Sequence, residues 1–244
     1  MIDELKLIRG SDFVINENIT IHHPTLDEIF KYGEKRYWSL VQTICAIPSD
    51  YMVELNKIGK DYEEITSFQL FYLTTRNFSV EDTRILFGDL DLQKLEIGIN
   101  TINNTEVYFY NDDFGNQIVI DESIYRIIVE FISKINYIKK RKIKAANKHT
   151  KEYLLEKEKR RQKRRKSDQF ESIFLTGISS LVNSEGFKYD YDTIWNLPVF
   201  LFFDALNRIG QIKNYSNIMT GIYSGSIDPK GIDLNSISWS SKIS

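Results

Sequence analysis

The segment from Lys139 to Lys166 constrains this chain more than any other. It carries 15 Lys and Arg against 3 Glu, a net +12, while the remainder holds 17 basic and 31 acidic residues, a net −14. A run of that charge density has no place in a hydrophobic core. It must lie outside and divide the apolar patterning into two regions. The expected organisation is an N-terminal helical region with a small β-sheet (1–138, sheet near 95–120), a basic arm or linker (139–168), and a C-terminal helical region with an extended tail (169–244). The expected fold class is mainly α with a small antiparallel β-sheet (α+β), a helical bundle-like body carrying a basic helical arm. At 244 residues the chain is long enough to form its core without disulfides or metals, and the lone Cys45 excludes an internal disulfide.

Apolar spacing supplies the elements. Thr25 followed by Glu28 has capping-box spacing, and Leu26, Ile29, Phe30, Gly33, Tyr37, Leu40, Val41, Ile44 and Cys45 then follow a helical period up to Pro48. "PSDYMVELNKIG" opens a further helix with Ser49 or Asp50 as cap and Gly59 as stop, and "TSFQLFYLTTR" and "SVEDTRILFG" read as two more. From Leu95 the period changes: "LEIGI", "TEVYFY" and "NQIVI" read as strands, with "NDDFGN" as hairpin turn. "DESIYRIIVEFISKINYI" returns to helix. Past the basic tract, Phe170, Ile173, Phe174, Gly177, Ile178 and Leu181 fall on one helical face, and residues 191–213 hold another helix in which Pro198 lies early or marks a break.

No catalytic signature emerges. His22 and His23 point in different directions on any regular element and lack a metal-like partner spacing. Asp89 with Asp91, and Asp112 with Asp113, do not fit a calcium loop and read as turn and cap residues. There is no P-loop, dinucleotide-binding turn or nucleophile elbow, and Cys45 falls on an apolar helix face. The expectation is a protein that is not an enzyme, with no catalytic residue, metal or cofactor. "MIDELKLIRG" lacks the apolar run of a signal peptide, and the longest apolar run, "LPVFLFF", is short of the ~20 residues a membrane span needs. With a lone cysteine, the expected setting is a reducing cytoplasm, or a particle assembled in one, and no membrane.

The basic tract then holds the candidate contact residues for a partner or polyanion: Lys139, Lys140, Arg141, Lys142, Arg160, Arg161, Lys163, Arg164, Arg165 and Lys166. Two readings compete. A polyphosphate would bind by counterion release, with Tyr153 the sole aromatic available for stacking. A helical arm would instead keep some apolar spacing through Ile143, Ala146, Thr150, Tyr153 and Leu154, with Glu156–Arg160 and Glu158–Arg161 pairs of ~0.3 kcal/mol each. Those pairs alone cannot hold it rigid, so it is either a projecting helix, stable when docked on an acidic surface, or a flexible connector.

Four stretches carry a family likeness: "IHHPTLDEIFKYGEKRYWSLVQTICAIPSD", "ILFGDLDL", "GFKYDYDTIWNLPVFLFFDALNRI" and "MTGIYSGSIDPKGI". In this order the chain resembles a protein of the structural gene cluster of tailed phages and prophages of Gram-positive bacteria, and is similar to tail assembly chaperones. The resemblance implies a non-enzymatic chaperone or adaptor that binds the tape measure protein during tail morphogenesis. It implies phage tail proteins as partners and an oligomer as one possible state. A virion structural component (neck, tail or baseplate) is the alternative, and a nucleic-acid-binding module a second.

Overall fold

The computed structural model describes residues 2–139, 147–165 and 170–241. Asp3 accepts the Leu5 amide at 3.0 Å and opens α1 (Glu4–Arg9). β1 (Phe13–Asn16) and β2 (Ile19–Ile21) then form an antiparallel hairpin whose Ile19 and Ile21 are buried. The Thr25–Glu28 capping box is present and starts α2 (Leu26–Tyr32). The single helix expected up to Pro48 is in fact two, because Gly33 takes φ 100°, a backbone that L side chains rarely adopt, and turns the chain before α3 (Glu34–Ile44). A 3-10 turn at Pro48–Tyr51 leads into α4 (Met52–Lys57), with Asp50 accepting the Ile47 amide at 3.1 Å instead of Ser49 or Asp50 standing at the cap. Capping boxes at Thr66–Gln69 and Ser79–Asp82 start α5 (Ser67–Thr75) and α6 (Val80–Phe87).

The three expected strands form an antiparallel meander, β3 (Glu96–Asn100), β4 (Thr105–Asn111) and β5 (Gln117–Ile120). Alternation puts Tyr108, Tyr110, Ile118 and Ile120 on the buried face. Phe68 and Tyr72 of α5 lie on the Tyr108 ring at centroid distances of 4.3 and 4.4 Å. Asp121 caps α7 (Glu122–Ile135), whose Ile128, Phe131, Ile132 and Ile135 are buried at helical spacing. At its end Asn136 Oδ1 accepts the buried Tyr37 hydroxyl at 2.8 Å, joining α3 to α7. The fold is mainly helical with two small antiparallel sheets.

Beyond α8 (Lys148–Arg165), the C-terminal part rejoins this core. α9 (Ile173–Val182) buries Phe174, Gly177, Ile178 and Leu181, as its spacing predicts, but Phe170 and Ile173 are exposed because the helix meets the body through one narrow face. Pro198 marks the break before α10 (Val199–Tyr223), and the stretch before it pairs with the start of α2: Leu26 N–H donates to Leu197 O at 3.0 Å and Val199 N–H to Pro24 O at 2.9 Å. Side chains from both flanks of the basic tract thus share one hydrophobic cluster. The tail is not extended as expected. It turns back along α10 through α11 (Leu234–Ile237), where Arg208 Nη1 donates to Trp239 O at 2.7 Å and Gln211 Nε2 to Ser238 O at 2.6 Å. Those side-chain donors satisfy carbonyls that composition alone leaves to water.

Candidate functional site: the basic face of the docked arm

α8 is an 18-residue helix of the arm, about 27 Å long at 1.5 Å per residue. Asn147 opens it by accepting the Thr150 amide at 2.9 Å. Lys163, Arg164 and Arg165 close it, where cations oppose the negative end of the helix dipole. Apart from Thr150 in its first turn, its half-buried positions are Lys151, Leu154, Leu155, Glu158, Lys159 and Gln162, one face at a 3.6 period. Leu154 and Leu155 pack on a small cluster of Met52, Val53, Leu55 and Tyr62, separate from the main core. Tyr153, which sequence spacing placed on the apolar face, is 65% exposed; Leu155, two residues on, takes that place beside Leu154.

Charge completes the docking. Lys151 Nζ donates to Asp61 and, at 3.2 Å, to Glu63, and lies 5.0 Å from the Tyr62 ring centroid. Partial burial works against the ammonium, yet the hydrogen bonds to Asp61 and Glu63 hold the Lys151 pKa above the ordinary lysine value. The Lys151 hydrogen bond in turn holds Asp61 below the usual carboxylate range. Gln162 Nε2 reaches Glu54 Oε1 at 3.0 Å. The arm therefore rests on an acidic surface of α4 and the loop after it, and a cleft of about 600 Å³ remains between them, lined by Asn56, Tyr62, Asn147 and Lys151 among others.

The opposite face is the candidate contact surface. Tyr153, Lys157, Arg160, Arg161 and Arg164 line a shallow groove of about 350 Å³ with Glu156 at its edge. At 100° per residue these five basic and aromatic side chains span roughly a quarter of the helix circumference. Lys157, Arg160 and Lys163 form no ion pair among the described residues; Arg161 meets Glu158 at 3.6 Å, and Glu156 pairs with Lys159 at 3.0 Å instead of Arg160. Of the residues singled out by sequence, Arg160, Arg161 and Arg164 come together here, Lys163 points to a neighbouring side, and Lys139 is an exposed residue beyond α7. Lys140, Arg141, Lys142 and Lys166 lie outside the described residues, as does the Arg165 side chain. Sequence reading missed Lys157 and gave Lys151 no role, although helical periodicity separates the outward residue from the inward one.

Other constellations have structural employment. His22 sits between Asp12 (2.7 Å from Nδ1) and Glu28 (3.0 Å from Nε2). His23 is buried, and its Nε2 accepts the Phe200 amide at 3.3 Å. Asp89 pairs with Arg84 at 2.9 Å, Asp91 accepts the Gln93 amide at 3.0 Å, and Asp112 accepts the amides of Phe114 and Asn116 inside the hairpin turn. Cys45 is buried against α7, accepting from Ser133 Oγ at 3.4 Å. Among the described residues no three of His, Cys, Asp and Glu group so as to hold a metal ion, and no helix is long and apolar enough to cross a membrane.

Residues 170–244, which hold α9, α10 and the returning tail, match the family described as YomV second domain. The match points to a phage-related protein. No curated protein and no solved structure matched the chain.

Proposed function

We propose that this phage-related chain is a non-enzymatic adaptor of tail assembly that works in the host cytoplasm by holding an acidic segment of a tail protein on the outer face of α8. The tape measure protein is the partner the sequence resemblance implies. One observation carries the reading: the arm spends Lys151 and its leucines on docking, while Lys157, Arg160 and Lys163 are left without an intramolecular ion pair among the described residues. Arginine forks match carboxylates in bidentate geometry, and exposed cations on a fixed helix attract an acidic partner at long range. Co-purification from phage-producing cells tests it. The native chain should bring down a tail protein that is absent from a Lys157→Glu/Arg160→Glu pull-down, and should itself be missing from finished particles. Retention in purified particles would make it a virion component instead.

A second reading has its own support. Tyr153 stands exposed at the head of an arginine-rich groove, the combination that single-stranded nucleic acid uses for stacking and phosphate contact. Binding to an oligonucleotide that survives physiological salt, and that Tyr153→Ala weakens, would favour it.

A further inference from the structure

Four large side chains are buried away from the main core. Met52, Val53 and Leu55 of α4 and Tyr62 of the loop after it form their own cluster, which shares no buried residue with the main one. Leu154 and Leu155 of α8 pack on this cluster, beside Tyr51 and Ile65. Its rim is acidic: Asp61 and Glu63 accept from Lys151, and Glu54 accepts from Gln162. α4 and the loop therefore make an apolar groove with an acidic edge, and the structure shows what lies in it, a basic amphipathic helix.

That helix fits incompletely. Leu154 and Leu155 are the only large aliphatic residues of α8, which carries nine Lys and Arg against three Glu, a net +6. Helices packed to interior density leave few voids. Here an open cleft of about 600 Å³ remains, with Met52 and Leu155 among its walls. Tyr62 also lines the cleft; it is 6% exposed, and its hydroxyl has no hydrogen-bond partner among the described residues. A buried hydroxyl left unpaired is a cost that a fitted polar neighbour removes.

We infer that the α4 groove receives a basic amphipathic helix of a partner protein, and that α8 is a resident stand-in which this helix displaces. The chemistry of the occupant is read from α8 itself. It presents a lysine to Asp61 and Glu63, two apolar residues three and four positions on, and a polar residue seven beyond the second of these for Glu54. Leu155 reaches the cleft without filling it, so the displacing helix carries a larger apolar residue there and a polar group for the Tyr62 hydroxyl. α8 is poorly equipped to resist. An 18-residue helix with two aliphatic anchors is marginal by itself, and tethering is what keeps its effective concentration in the groove on the order of mM. Its exit costs the main core nothing, because the two clusters are separate.

The test uses the full chain and a fluorescein-labelled synthetic peptide of residues 147–165 carrying Leu155→Phe. By fluorescence anisotropy, a Leu155→Asp chain, whose own arm is undocked, should bind the peptide roughly tenfold or more tightly than the native chain, because no tethered competitor remains. On the native chain at saturation, α8 amides should exchange faster while α3 and α7 amides keep their rates. An Asp61→Lys/Glu63→Lys chain, changed only at the rim, should lose the peptide. Exchange in α3 and α7 reports that each variant is folded. Equal affinities of the native and Leu155→Asp chains would overturn the proposal. So would binding that survives the two rim lysines, since the acidic body at large would then hold the peptide, or binding that leaves α8 exchange unchanged. A native dimer in sedimentation equilibrium that Leu155→Asp converts to monomer would also overturn it, by assigning the groove to the arm of a second copy.

Discussion

Glu34 of α3 accepts the backbone N–H of Ile173 at 2.8 Å and so caps the start of α9 from 139 residues away. The same Oε1 atom accepts the Phe174 amide at 3.1 Å, and the other carboxylate oxygen accepts the Ser172 hydroxyl, which itself takes the Leu175 amide at 2.9 Å. A carboxylate at a helix N-terminus satisfies donors that the helix cannot and opposes its dipole. It is also the polar half of the joint between the regions on either side of the arm; Trp38 stacking on Phe174 at 5.8 Å is the apolar half.

Removing that cap should loosen the C-terminal region first. Glu34→Ala leaves the α9 donors without their acceptor and should cost about 2 kcal/mol. At this chain length that is a fall of roughly 4–8 °C in melting temperature. Glu34→Gln keeps an acceptor and should lose less than half as much. Equal melting curves for the native chain and Glu34→Ala would refute the assignment.

Acid should weaken the fold through His23. Burial pushes its pKa down from 6.5 to about 4, with the neighbouring His22 adding to the shift, and its Nε2 must stay unprotonated to accept the Phe200 amide. The unfolded chain binds this proton more readily than the folded one. The contribution is therefore complete above pH 6.5, declines as pH falls, and is gone near pH 4. Its full extent is about 3 kcal/mol. Urea midpoints measured between pH 7 and 4 should show this slope in the native chain and a shallower one in His23→Gln.

Two glycines on helices should respond oppositely to alanine. A Cβ at Gly177 would stand 2.4 Å from Phe202 Cζ and 3.2 Å from Leu206 Cδ1, and Phe202 is fully buried. Overpacking of about 1–3 kcal/mol outweighs the helix-propensity gain of about 1 kcal/mol, so Gly177→Ala should destabilise. Gly210 has open space around its Cβ position, and Gly210→Ala should stabilise by about 0.5–1 kcal/mol. Thermal unfolding of the two variants decides both signs.

The arm should detach without unfolding the body. Its hydrophobic cluster is separate from the main one, and Lys151 is the charged anchor. Lys151→Ala should cost about 1 kcal/mol, which speeds amide hydrogen exchange in α8 roughly fivefold. Leu155→Ala should have a larger effect. Main-core amides in α3 and α7 should exchange at their native rates in both; a global loss of protection would contradict a separately docked arm.

Local chemistry decided much of this protein by itself. Thr25, Thr66 and Ser79 announce their helices because a cap and its box need only residues three apart. The three strands were equally legible in their composition and turn. So was the exterior place of α8, since its charge density admits no other. What sequence could not decide were contacts between distant residues. Gly33 splits one apparent helix into two, yet its period is continuous across the break. Nothing near Asn147 says that Lys151 will find Asp61 and Glu63, and that pairing is what makes one face of α8 inward and leaves Tyr153, Lys157 and Arg160 outward. The returning tail is likewise written in Arg208 and Gln211, whose partners lie some 30 residues on. Periodicity fixes which residues share a face, but only packing chooses which face is covered.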